Sequence, residues 1–397
     1  MGERILYVIS AYSGSTTGTG GHYYSARDVA SVLQAHWRDA QLRIAVLGDL
    51  LPGAISNSTV PYVHVSPVGK GLRRYCREVM ASADDFAPTI VHAYDNKSYF
   101  FARLIAYRHG AKRFLTKPGG PDPGVTFPYC PDIVCYSEES LFALRSRRRL
   151  RGSRLHLIPN RVALPVPDHA RIAALRARIG PGDVLLRICR IGGFHRRSIE
   201  QSLALARLMR KEGIQVRAVI IGAPESRSVL ESLRAKAEAQ DLFVTDSSFT
   251  VDSAALLDVA TYVVGTGRGV VEAALRERWV FVPLADADVP TLVTPSNWRA
   301  LSSANFSARA RNTLGADPSD LSPLKGLLLD ARRGESFRSE LATAVSGAYG
   351  PSAIPVKYQG LYSMDQTTRT IEPLDCLVNS GSFIVPYMHW RCDGGRG

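Results

Sequence analysis

The sequence predicts an α/β fold in two Rossmann-like domains facing across a cleft. Three observations predict it. The chain has 397 residues, 45% of them hydrophobic, more than one ordinary α/β core takes up. Short apolar segments alternate with amphipathic stretches of roughly 10–15 residues, the signature of βαβ units and a parallel sheet. The alternation breaks once, over residues 160–168, where Pro165 and Pro167 deny regular structure, and then restarts. The expected domains are 1–165 and 166–345. A closing segment, 346–397, has no assigned structure, and packing back on the first domain is the open option for it.

In the first domain, strands are expected at 5–9, 43–47, 62–65, 89–92, 113–116, 133–136 and 155–158, with helices at 23–33, 71–82 and 99–107. In the second, strands fall at 184–188, 217–221, 243–245, 261–264 and 280–283, with helices at 199–211, 226–239, 254–257 and 270–276. From about Lys357 the pattern decays into a tail holding Trp390 and two of the six cysteines.

Composition excludes several classes. No apolar run approaches the ~18 residues of a membrane span. The opening run is too short for a signal peptide and reads as a buried strand. Cys76, Cys130, Cys135, Cys189, Cys376 and Cys392 form no C-x-x-C pair, so reduced thiols in a cytoplasmic protein are expected. The net charge of +13 is uneven: residues 1–165 carry 21 Lys+Arg against 12 Asp+Glu (+9), the rest 28 against 24 (+4). Six arginines crowd into residues 145–154. Such a patch suits an anionic membrane surface or a phosphorylated substrate; a solvated helix end is the plain alternative. No aromatic residues interleave with the arginines, which argues against nucleic acid as a partner.

Three glycine- or arginine-rich segments follow expected strands. Thr17-Gly-Thr-Gly-Gly-His22 opens a helix, where backbone N–H groups attract an anion; a structural turn is the alternative. Arg187-Ile-Cys-Arg-Ile-Gly-Gly-Phe-His-Arg-Arg197 places arginines at a strand's C-terminal end, where ligands of open α/β sheets bind. In Gly265-Thr-Gly-Arg-Gly-Val-Val-Glu-Ala-Ala274, the N–H groups of Arg268, Gly269 and Val270 are expected to form an anion nest. Glu272, expected on the first helical turn, suits a ribose diol or else complements the helix dipole.

Together with Val91-His-Ala-Tyr94, Cys135-Tyr-Ser-Glu138, Ile158-Pro-Asn160, Val219-Ile-Ile-Gly222 and Asp258-Val-Ala260, these segments resemble, in order and spacing, the retaining family-4 glycosyltransferases with the GT-B fold. The resemblance covers about residues 4–340. Gly265-Thr-Gly-Arg-Gly269, Lys117-Pro-Gly-Gly-Pro121 and Ala304-Asn-Phe-Ser307 resemble a bacterial polysaccharide-cluster subset. It implies transfer of a sugar, with retention, from a nucleoside diphosphate sugar (a UDP-sugar) to a glycan or lipid-linked acceptor. Gly20, Gly21, Arg190, Arg196, Arg197, Gly267, Arg268, Gly269, Val270 and Glu272 would hold the donor. His92, Tyr94, Asp95 and Lys117 would lie on the acceptor side. Arg190, Arg196 and Lys117 would serve catalysis. No cofactor is implied, and without a D-x-D motif no metal is required.

The chain departs from that pattern in three places. The E-x₇-E motif expects a glutamate eight residues before Glu272, at Val264. The histidine after the strand at 113–116 is replaced by Lys117, and Asn-Gly after Ile-Pro is Asn160-Arg161. A nucleotide-sugar 2-epimerase on the same fold and a non-catalytic nucleotide-sugar-binding protein are the competing readings.

Overall fold

The computed structural model describes residues 2–12, 20–120, 122–124, 126–312, 315, 317–366 and 379–380. They fall into two compact units. One holds the described residues up to Arg161 and from Pro351 onward, the other Val162–Gly350.

The first unit contains β1 (Arg4–Ser10), α1 (Gly21–His36), β2 (Gln41–Leu47), α2 (Gly53–Ser56), β3 (Tyr62–Val65), α3 (Leu72–Ala81), β4 (Ile90–Ala93), α4 (Asn96–His109), β5 (Lys112–Lys117), β6 (Asp132–Cys135), α5 (Glu138–Arg145) and β7 (Arg154–Leu157). Its strands pair in parallel in the order β3-β2-β1-β4-β5-β6-β7. A central parallel strand is covered on both faces, so it reads as a continuous apolar run. In β1, Ile5, Tyr7 and Ile9 enter one core layer and Leu6 and Val8 the other.

The second unit contains α6 (His169–Ile179), β8 (Asp183–Ile188), α7 (Arg196–Lys211), β9 (Val216–Ile221), α8 (Arg227–Arg234), β10 (Leu242–Val244), α9 (Ser247–Thr250), β11 (Tyr262–Val264), α10 (Arg268–Leu275), β12 (Trp279–Val282), β13 (Thr291–Leu292), α11 (Trp298–Ser303), α12 (Ser322–Leu329) and α13 (Ala331–Tyr349). The sheet order is β10-β9-β8-β11-β12-β13, with β13 antiparallel. In each sheet the strand order reverses beside the first strand, between β1 and β4 and between β8 and β11. At such switch points open α/β sheets form their ligand crevices.

Two expectations need correction. Residues 226–239 do not form one helix: α8 stops at Arg234. The Asp241 carboxylate gathers the Glu238 and Ala218 N–H groups and the Arg210 guanidinium, turning the chain into β10. The expected loss of pattern near Lys357 is also overturned, because α14 (Ile354–Ser363) runs through it. Its Ile354, Tyr358, Leu361 and Tyr362 join the core of the first unit beside Ile5, Tyr7 and Ile9. Just beyond, Gln366 donates to the Arg113 carbonyl (2.8 Å) and to Asp132 (2.7 Å), fastening the segment to β5 and β6. Cys376, Cys392, Trp390, Thr17–Thr19 and Pro121 lie outside the described residues. Among the described residues no helix is long and apolar enough to cross a membrane.

Candidate functional site

The switch point of the second unit is the better-built candidate. β11 runs into Gly265-Thr-Gly267. A Cβ on Gly265 would stand 2.8 Å from the Val270 nitrogen. Gly267 has φ 54° and ψ −123°, a conformation open to glycine. Its N–H donates to the Phe306 carbonyl (3.2 Å), and Asn305 and Phe306 both hold positive φ, 55° and 48°. Consecutive non-glycine residues in that region store strain, a feature that clusters at ligand clamps.

Because Gly267 makes the turn, α10 begins at Arg268, two residues before the expected start. Glu272 is therefore past the first turn, which removes the helix-dipole explanation for it. Its Oε1 takes the Arg268 Nε–H at 2.6 Å, with both side chains nearly buried. The expected three-N–H nest is also reduced. Gly269 N–H donates to the Thr266 carbonyl (3.1 Å) and Val270 N–H to that of Gly267 (3.2 Å), so both close the turn itself.

The expected arginine group does not converge. Arg190 pairs with Glu225 (2.5 Å) in the loop after β9. Arg196 lies along α7 on Glu200 (3.1 Å) and reaches Ser232 of α8 (3.2 Å). Arg197 donates to the Ala285 and Ala287 carbonyls, 2.9 and 3.2 Å away, beyond β12. Each guanidinium is held by a different element. Of the three, Arg190 stands at the end of β8. Two residues that sequence reasoning passed over stand closer to the switch point. Arg187, 1% exposed, bonds the Val264 carbonyl (3.1 Å), Ser198 Oγ (3.0 Å) and Thr266 Oγ1 (3.3 Å). His195 precedes α7, and burial, with Arg187 and Arg190 nearby, lowers its pKa to about 3 and keeps the imidazole neutral. The one sequence signal for Arg187 was a charged residue inside an apolar strand.

In the first unit, Gly20 caps α1 and Gly21 begins it. No described atom lies within 4 Å of a Cβ built on Gly21, so packing does not demand glycine there. His92 and Tyr94, expected on the acceptor side, are fully buried. His92 bonds Tyr362 Oη (2.7 Å) and Thr116 Oγ1 (2.8 Å), and Tyr362 Oη–H donates to Tyr7 Oη (3.1 Å). Burial lowers the His92 pKa to about 3. Asp95 caps α4 by accepting Ser98 N–H (2.8 Å), and it also takes the Ser10 N–H and hydroxyl, both at 2.8 Å. These three residues build the sheet and the start of α4. Lys117, expected on the acceptor side and in catalysis, is buried. It donates to the carbonyls of Gly119 (3.0 Å) and Gly120 (3.4 Å), bracing a loop whose two glycines have φ 98° and 88°.

No family model and no curated protein matches the sequence. Solved structures do match. HepE from Anabaena in complex with UDP and glucose is 14% identical over 91% of this chain and all of its own, with a TM-score of 0.62. A glycosyltransferase from Rickettsia africae is 11% identical over 91% of this chain and 98% of its own, with a TM-score of 0.63. UDP-GlcNAc 2-epimerase from Neisseria meningitidis bound to UDP-GlcNAc is 13% identical over 91% of this chain and all of its own, with a TM-score of 0.53. The chain thus has the two-domain Rossmann-like GT-B fold, on which both transferases and epimerases are built.

Proposed function

We propose that this protein is a retaining glycosyltransferase that moves a sugar from a nucleoside diphosphate sugar, with UDP as the first candidate nucleotide, to a glycan or lipid-linked acceptor. The observation that carries the reading is the strand–glycine loop–helix at the β8/β11 switch point. There a turn that needs glycine at 265 and 267 leads into the nearly buried Arg268–Glu272 pair. HepE, one of the matching structures, holds UDP and glucose.

In this reading Glu272 receives the nucleotide ribose and Arg190 turns from Glu225 to the diphosphate. Charge grows on the leaving diphosphate as the C–O bond breaks. Preorganised donors at that point supply the catalysis, and losing one typically costs about 10²–10³ in turnover. The departing diphosphate oxygen takes the acceptor proton. The epimerases among the matching structures favour a second reading, epimerisation of the nucleotide sugar. Incubation with labelled nucleotide sugars, with and without EDTA, separates the two. Free nucleoside diphosphate with a glycosylated acceptor supports transfer; a C2 epimer in the absence of acceptor supports the alternative. Bound ligand without turnover leaves a binding protein. Full activity in EDTA is expected. The basic bias of residues 1–165 fits work beside an anionic membrane surface.

A further inference from the structure

Arg187 is a buried cation that, among the described residues, pairs with no acid. Its hydrogen-bond partners among the described residues are the Val264 carbonyl, the hydroxyls of Ser198 and Thr266 and the Cys189 thiol, all neutral. The carboxylates in the adjoining segments pair with other arginines: Glu225 with Arg190, Glu272 with Arg268, Glu200 with Arg196. Val264, where the resemblance sets a glutamate, supplies only its backbone oxygen. The adjoining groups, His195 and Cys189, are also held neutral. An uncompensated buried charge is among the most costly features a fold can carry, so a group that neutralises it binds with advantage.

The location says what that group is. Ser198 lies in the first turn of α7 and Thr266 in the glycine loop leading to α10, so the guanidinium sits where two helix N-termini approach the switch point. Ser198 Oγ–H is spent on the His195 carbonyl (2.8 Å). Thr266 Oγ1 accepts from Arg187, which leaves its own proton to donate onward, polarised by the charge behind it.

We propose that Arg187, acting through the Thr266 hydroxyl, is a positioning residue for a diphosphate at this switch point, and that the bound anion is its counter-ion. This rests on the donor reading above and adds to it a charge that no part of the E-x₇-E pattern supplies.

Inorganic diphosphate, UDP, other nucleoside diphosphates and uridine are titrated calorimetrically onto the full-length wild type, Arg187→Gln and Thr266→Val. Arg187→Gln should weaken diphosphate and the accepted nucleoside diphosphate about tenfold or more, and Thr266→Val about threefold. Uridine affinity should not move. A merely structural Arg187 would lower the melting temperature of the free protein and leave these affinity ratios at one, which overturns the proposal. Failure of the wild type to bind diphosphate or any nucleoside diphosphate also overturns it. If the wild type binds inorganic diphosphate through Arg187 but no nucleotide, the donor reading falls and the anion site stands. Should Arg187→Gln not fold, Thr266→Val decides alone, since unchanged affinity there removes the relay.

Discussion

His92 gives the fold a defined weakness to acid. The perturbation is a fall from pH 7.5 to pH 5. In the folded protein the imidazole is fully buried among Tyr7, Tyr94, Phe114 and Tyr362, and its pKa is lowered by that burial to about 3. In the unfolded chain it titrates near ~6.5. The unfolded state therefore binds the extra proton, and stability falls as pH drops through 6.5 and onward toward 3. At pH 5 the gap of roughly 1.5 units is worth about 2 kcal/mol. Asp132 does not blur this window. Burial would raise its pKa, but bonds from His156, Arg154 and Gln366 outweigh that and hold it low, so its stabilisation is lost only at more acid pH. Urea unfolding at both pH values, read by hydrogen exchange of the β4 and α14 peptides, isolates the first unit. The wild type should lose about 2 kcal/mol more than His92→Gln, whose amide can still bridge Tyr362 and Thr116. Equal losses in the two proteins would refute the reasoning.

Glu272→Gln should weaken nucleoside diphosphate binding about tenfold in calorimetry. It should also lower the melting temperature of the second unit, because Arg268 loses its charged partner; unchanged affinity would remove the ribose assignment. Lys117→Ala should raise hydrogen exchange in residues 118–124 and lower turnover while nucleotide affinity stays constant. Wild-type exchange and turnover would show that the glycine loop holds itself. Of the six arginines at 145–154, Arg154 is held by the buried Asp132 (2.8 and 2.7 Å) and Arg147 by Asp122 (3.6 Å), whereas Arg145, Arg148, Arg149 and Arg151 are exposed. Replacing those four with serine should cut partitioning onto anionic vesicles by ~1 kcal/mol per arginine, in a salt-sensitive way. Equal partitioning of the wild type onto neutral and anionic vesicles would leave only a solvated face.

Most strands were legible because a strand buried on both faces must be largely apolar, whatever its neighbours. β1, β4, β8 and β11 are such runs, broken by His92 in β4 and Arg187 in β8, and each formed within one residue of its expected bounds. Helix ends were less legible, since they depend on single backbone conformations. Nothing in Gly265-Thr-Gly267 announces that Gly267 takes ψ −123° and starts α10 two residues early. α14 was missed although Ile354, Tyr358, Leu361 and Tyr362 stand at helical spacing. Tyrosine is a weak hydrophobic signal, and the phenol bonds that make Tyr362 a core residue need partners, Tyr7 and His92, more than 250 positions away in sequence.

The site shows the same limit in sharper form. Sequence reasoning located the switch-point segments, since glycines after a strand and arginines at a strand end have local meaning. It could not say what each guanidinium touches. An ion pair with Glu225 requires the loop after β9 to fold back beside β8, as the Glu225 N–H to Ile191 carbonyl bond (2.9 Å) makes it do. Arg197 ends on two backbone carbonyls, acceptors that every residue carries and that leave no mark in composition. The selection of Arg190, Arg196 and Arg197 therefore rested on the resemblance. Burial reverses the order: an exposed arginine on a helix flank is screened and interchangeable, whereas Arg187 carries its charge where screening is least. At the proposed diphosphate site, Arg187 is therefore the guanidinium whose field solvent screens least.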